Sequence, residues 1–274
     1  MLWLLLLQVS VSCLWLGHSE VVTSFASCSR FFYQGTTPNE ALEPQNPALI
    51  CQRYNNSYHF ATLYDRKMRI PIYSAYIYQP GTGNRSKSWF VEPQLIGKNN
   101  LKEMETQSTL IDQHKFTLQQ IKQSQAVLED YENLKGLDHG HLSPSGHQSG
   151  NNSKSAAFTL TNIVPQDSSL NNGAWNIYEF RTMANNSKSC TTTYVIVGAV
   201  PGNTYIASQR VNKPSHIWSA ACCVVGQKPM KTWAVIAEND KNQVQNLTLK
   251  ELEANLSQLY GRGQVSLFHS ACPR

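Results

Sequence analysis

Hydrophobic and polar positions change rhythm several times along the chain. From Leu2 to Leu16 the sequence is almost continuously apolar, broken by Gln8, Ser10 and Ser12 and followed by Gly17, His18 and Ser19. That run falls short of the roughly 20 residues that span a bilayer, and its small-residue end predicts a secretory signal peptide, residues 1–19, cleaved near Gly17 to Ser19. Residues 28–100 read as short strands and turns of a twisted antiparallel sheet. Within them Tyr58–Tyr64 alternates, Asp65-Arg66-Lys67 turns, and Ile70–Tyr78 resumes a β-rich run that stops before Pro80-Gly81-Thr82-Gly83. Residues 101–135 are polar, Gln-rich and free of Pro and Gly, which predicts a helix or a partly ordered connection. Residues 136–153 are rich in Gly, Ser, His and Asn and read as loop. A strand over Ala156–Ile163 and a helix over about Asn171–Met183 follow, then strands at Thr192–Val200, His216–Val225 and Lys231–Glu238. A last helix opens at Thr248, where Thr248 and Glu251 fit a capping box.

This order predicts an α+β fold on a mixed, largely antiparallel sheet, with no internal repeat and no interdomain linker, so residues 20–274 read as one domain. Composition narrows the class. At 41% hydrophobic and 15% charged residues the chain is neither disordered nor a coiled coil. Charge sits below the roughly 25% usual in soluble domains, and Asn, Gln, Ser and Thr fill the polar share, a pattern suited to an exported protein. Lys plus Arg exceed Asp plus Glu by 23 to 18, and the formal charge of +5 mildly favours an anionic partner.

Seven cysteines sharpen the compartment. Loss of the leader removes Cys13 and leaves Cys28, Cys51, Cys190, Cys222, Cys223 and Cys272, an even set that predicts up to three disulfides. Proximity favours Cys28 with Cys51; the sequence does not choose among the remaining pairings. Six N-x-S/T sequons begin at Asn55, Asn84, Asn151, Asn185, Asn246 and Asn255 and fit a secreted glycoprotein. No later segment is long and apolar enough to span a membrane, and Cys272-Pro273-Arg274 carries no hydrophobic tail.

Candidate chemistry concentrates in two segments. The first is Leu137-Asp138-His139-Gly140-His141-Leu142-Ser143-Pro144, and the second runs from Leu160 through Asn162, Pro165-Gln166, Leu170-Asn171 and Gly173 to Trp175 and Glu179. These residue types suit metal-assisted phosphodiester hydrolysis. His141 offers an imidazole able to take a proton from water near neutrality. Asn171 offers a neutral hard oxygen of the kind Mg²⁺ prefers, Mn²⁺ being the alternative. In a helix starting near Asn171, with Asn171 as its N-cap, Trp175 and Glu179 follow at four-residue intervals on one face. Glu179 then holds metal-bound water while Trp175 packs inward. A zinc site built from His139, His141, His147, Cys222 and Cys223 fits no common spacing. Arg66, Lys67 and Arg69 read as a solvated turn before a nucleic-acid patch.

The two segments together resemble the paired signature of the DNA/RNA non-specific endonucleases, whose active site is a ββα-metal (His-Me) finger. The stretches Phe31–Tyr33, Ile50–Tyr54, Phe60–Asp65, Arg69–Tyr76 and Trp89–Leu95 resemble one subfamily of these nucleases, so the resemblance covers nearly the whole mature chain. It implies a secreted nuclease acting on the phosphate backbone of DNA, RNA or both without sequence preference. His141 is then the general base, Asn171 the direct Mg²⁺ ligand and Glu179 a carboxylate acting through the metal's waters. Asn162 and Gln166 support the site by hydrogen bonds, and Asp138 is structural. His139 departs from the pattern, because the family has Arg there and histidine binds a phosphate charge only when protonated. Activity is then weaker or shifted to lower pH, and a second cation is sought in Arg85 or Lys87. The rival readings are a catalytically weakened pseudonuclease that binds nucleic acid or a protein, and a secreted structural or immune-interaction glycoprotein.

Overall fold

The computed structural model describes residues 21–274, so the signal-peptide segment lies outside the described residues. Ten of the strands among the described residues organise the fold: β1 (Val21–Val22), β2 (Pro47–Tyr54), β3 (Ser57–Asp65), β4 (Ile70–Ile77), β5 (Leu137–His141), β6 (Ile163–Asp167), β7 (Thr192–Val200), β8 (His216–Val225), β9 (Lys228–Glu238) and β10 (Gln245–Leu247). Eight of them form one sheet in the order β1-β2-β3-β4-β7-β8-β9-β10. Every neighbouring pair in it is antiparallel. The architecture is α+β, and β4 pairs directly with β7 across the long excursion of residues 78–191, Ile77 lying opposite Tyr194. That excursion carries both signature segments.

The central strands are apolar without alternation because the sheet is covered on both faces. Along β7 and β8, Ile196, Trp218, Ala220 and Cys222 join a cluster with Phe25, Phe31 and Phe32 of the N-terminal turns and Leu249, Leu252 and Leu256 of the C-terminal helix. Their neighbours Val195, Val197, Ile217 and Ala221 face the other way, onto Leu142, Leu160, Ile163, Trp175 and Tyr178 of the excursion. This is the two-residue period of a strand. It also parts the adjacent cysteines: Cys222 bonds Cys272 near the C-terminal helix, while Cys223 bonds Cys190. The third bridge is Cys28–Cys51, as proximity suggested. Loops of 23, 33 and 50 residues are closed, each bridge stabilising by roughly 3–4 kcal/mol through the restricted unfolded chain.

The C-terminal helix, Leu249–Tyr260, opens on the Thr248–Glu251 capping box and ends at Gly261, whose φ of 62° is the left-handed stop that glycine accepts without strain. The first expectation for the excursion holds in part, and three others need correction. Residues 101–135 hold two short helices, Gln107–Asp112 and Leu118–Lys122, each N-capped by a threonine hydroxyl, Thr106 and Thr117. The stretch 136–153, read as loop, contains β5, because pairing with β6 organises a sequence poor in β-branched residues. Ala156–Ile163 is not a strand; it passes from the end of a helix through a 3₁₀ turn at Leu160–Asn162, with the Asn162 side chain satisfying the local backbone. The next helix starts at Ser168, before Asn171, because the Asp167 carboxylate accepts from the amides of Ser169 and Leu170 and takes the N-cap role expected of Asn171.

Candidate active site

Strands β5 and β6 pair in register from Leu137–Asp167 to His141–Ile163, and the chain enters a helix at once after Asp167. Two strands and a helix thus bring the two signature segments together. The hairpin needs glycine at position 140: a Cβ there would stand 2.6 Å from the Cβ of Gln166 and 2.3 Å from its Oε1. Gln166 is buried against this bare stretch of backbone, and its Nε2 has no partner.

Asp138 joins the strand to the helix. Its carboxylate accepts from Ser168 Oγ at 2.8 Å, Asn171 Nδ2 at 2.9 Å and Asn172 Nδ2 at 2.7 Å. Burial pushes this carboxyl up, but the three donors and the nearby His139 outweigh it and hold it below the usual carboxylate range. An ionised carboxylate only accepts, so the Asn171 amide must turn its nitrogen to Asp138 and its oxygen away. The half-buried Asn171 therefore presents a neutral oxygen in a fixed direction.

His139 and His141 share the opposite face of β5. The His139 ring is stacked between Trp89 and Tyr131, each 4.8 Å away at 19° and 24°. Burial lowers its pKa, opposed by Asp138. A ring held on both faces offers only its edge to a phosphate. His141 sits against the edge of Phe158 at 4.9 Å and the tilted ring of Trp89 at 5.6 Å. Burial is the main cause that pushes it down to about 4, while a main-chain hydrogen bond with His139 works the other way. Its Nε2 has no hydrogen-bond partner.

Glu179 stands in a π turn, Tyr178–Thr182, within the helical segment that resumes after Gly173. Burial pushes its carboxyl up to about 8, opposed by the indole Nε1 of Trp175, which donates to Oε1 at 3.0 Å. Trp175 is buried and Glu179 shares its helical face, but the break at Gly173 separates both from Asn171.

Asn162 is fully buried behind the hairpin. Its Oδ1 accepts from Ser74 Oγ and the Ser143 amide, and its Nδ2 donates to the carbonyls of Ser143 and Ala157, all within 3.0 Å. Asn162→Ala strands the Ser143 amide, the Ser143 carbonyl and the Ala157 carbonyl. At 1–3 kcal/mol for each unsatisfied buried group, the expected loss in a urea titration is roughly 3 kcal/mol or more.

Of the other cations, the exposed Arg85 lies over Phe158 at 5.0 Å and bears electrostatically on His141. Lys87 is exposed near Trp89, on the rim of a cavity of about 420 Å³. Arg69 is spent on the carbonyls of Lys67, Lys122 and Arg210 and belongs to the scaffold. The exposed Asn151 accepts from the Asn84 amide at 2.8 Å, which sets two sequon asparagines side by side next to Arg85.

Among the described residues no three His, Cys, Asp or Glu side chains gather to hold a metal, and Cys222 and Cys223 are both disulfide-bonded.

A profile of the DNA/RNA non-specific endonucleases matches residues 37–269. The chain belongs to this family. It is 31% identical over 242 residues to a human protein named endonuclease domain-containing 1 protein, covering 85% of this chain and 46% of that one. The mouse protein of the same name is 30% identical over 238 residues, covering 84% and 45%. The nuclease-family chain thus spans about half the length of these curated relatives. A solved structure, "Crystal structure of the EndoG/EndoGI complex: Mechanism of EndoG inhibition", superposes with a TM-score of 0.53 at 17% identity, covering 76% of this chain and 83% of that one, and shares the fold.

Sequence reasoning missed Tyr131 and Phe158, and weighed His147 only as a member of a zinc site. His147 lay in a stretch read as loop, and no spacing ties the two aromatic residues to either signature.

Proposed function

We propose that this chain is a secreted, metal-dependent endonuclease that hydrolyses phosphodiester bonds of DNA, RNA or both without sequence preference. The observation that carries the reading is His141 Nε2, a buried ring nitrogen without a partner, kept neutral by its surroundings. Leaving such an atom unpaired costs about 1–3 kcal/mol, a cost that makes sense where the atom must receive a proton. His141 takes that proton from the attacking water. The Asn171 carbonyl oxygen, aimed by Asp138, would hold Mg²⁺ or Mn²⁺ directly, and Glu179 would hold it through water. Such a hard, oxygen-rich donor set suits either ion. The ion, when bound, supplies a Lewis acid for the scissile phosphate and the leaving oxygen. Arg85 contributes the permanent cation that His139 cannot, with Lys87 as a further phosphate contact. Asn162 and Gln166 hold the hairpin that carries the base. Contacts of this kind read phosphate and not base sequence. Three disulfides support export to an oxidising compartment. Among the described residues no helix is long and apolar enough to cross a membrane.

The stacked ring of His139 favours a second reading, a weakened enzyme that binds nucleic acid and turns over slowly. One experiment separates the two. Purified mature protein is incubated with supercoiled plasmid and with single-stranded RNA, in Mg²⁺ or in EDTA, beside His139→Arg. The nuclease reading expects Mg²⁺-dependent degradation by wild type that EDTA abolishes. Degradation by His139→Arg alone would establish the second reading.

A further inference from the structure

His147 belongs to neither signature segment and has no part in the chemistry above, yet it ties Glu179 to the central sheet. It closes the 3₁₀ turn Ser145–His147, directly after His141-Leu142-Ser143-Pro144, and is 4% exposed. Its Nδ1 lies 2.9 Å from the hydroxyl of Tyr76 on β4, and its Nε2 lies 3.0 Å from the main-chain carbonyl of Glu179. A carbonyl can only accept, so Nε2 carries the hydrogen and Nδ1 accepts from Tyr76. The tautomer is fixed by its two neighbours. The ring of Tyr78 packs edge-on at 4.7 Å.

The carbonyl that His147 engages lies inside the π turn Tyr178–Thr182. A side chain that enters the helical ladder is one of the few causes of such an interruption, and π turns favour functional sites. Glu179 is thus fixed twice: its main chain by His147, and its carboxylate by Trp175 Nε1 at 3.0 Å. We propose that His147, oriented by Tyr76, is a positioning residue that holds the Glu179 main chain in the π turn and thereby aims its carboxylate toward metal-held water. The inference rests on the nuclease reading above and adds to it a residue pair from outside the signature.

The test is Mn²⁺ binding to the whole mature protein by calorimetry, with KM for plasmid DNA measured in parallel. His147→Ala is expected to raise the Mn²⁺ Kd by about 10- to 100-fold, the usual effect of losing an outer partner of a metal site, while KM for DNA stays within about twofold. His147→Gln, whose amide can still donate to the Glu179 carbonyl, is expected to recover most of the loss. A folded His147→Ala that binds Mn²⁺ as wild type does would overturn the inference, as would a parallel rise in Kd and KM, the sign of general loosening. If His147→Ala does not fold, Tyr76→Phe decides: a Kd raised by about threefold or more supports the pair, and an unchanged one refutes it. A wild type that binds no Mn²⁺ would remove the nuclease reading and this inference together, whereas wild-type binding that every variant preserves would remove this inference alone.

Discussion

Asn171→Ala is expected to cut plasmid cleavage by about a hundredfold or more at a fixed, moderate Mg²⁺ concentration and to move half-saturation to higher Mg²⁺. The substitution removes the half-buried amide oxygen of Asn171 that Asp138 aims, and no cluster of acidic or histidine side chains among the described residues stands in for it. Asn171→Asp is expected to fail as well, although it restores an oxygen. The Asp138 carboxylate would then face a second carboxylate where it now receives the Nδ2 donor, and two like charges at that distance oppose each other. Initial rates across a Mg²⁺ series check both variants. A half-saturation unchanged in Asn171→Ala would assign the metal to other residues.

His141→Ala is expected to lose about 10²- to 10⁴-fold in rate, the usual contribution of a placed general base. The pH dependence is specific to this site. Burial pushes the His141 ring down to about 4, so the neutral, proton-accepting form is present above that value and disappears only as pH falls through it. At saturating Mg²⁺ the limb set by His141 is therefore expected near pH 4, apart from any limb that the Glu179 carboxyl, pushed up to about 8 by burial, adds at higher pH. If protonated His139 supplied the phosphate cation, the rate would instead climb below the ordinary histidine range. Burial lowers His139 as well, so no such rise is expected.

Much of the fold was legible because the central strands obey simple rules. Thr192–Val200 and His216–Val225 are strands from end to end, and the reciprocal Thr248–Glu251 bonds follow from residue type and spacing alone. The excursion was harder to read for a physical reason: its elements are short and borrow their order from tertiary contacts. β5 is a strand only because β6 pairs with it, and Gly140, which looks like a turn former, is needed for the close approach of Gln166. The helix starts at Ser168 because the Asp167 carboxylate accepts from the free amides of Ser169 and Leu170. At the site, the residue types of both segments were visible, but partner choice was not. That Asp138 orients Asn171, that aromatic rings enclose His139, and that His147 reaches Glu179 are facts of packing, most of them between segments 30 or more residues apart.

The account turns on whether this chain cuts nucleic acid through His141. The most direct measurement compares wild type and His141→Ala on the same supercoiled plasmid at saturating Mg²⁺, with circular dichroism confirming that both are folded. The account predicts nicking and degradation by wild type, and a plasmid left essentially intact by His141→Ala. Equal activity in the two proteins, or none in either, would contradict it.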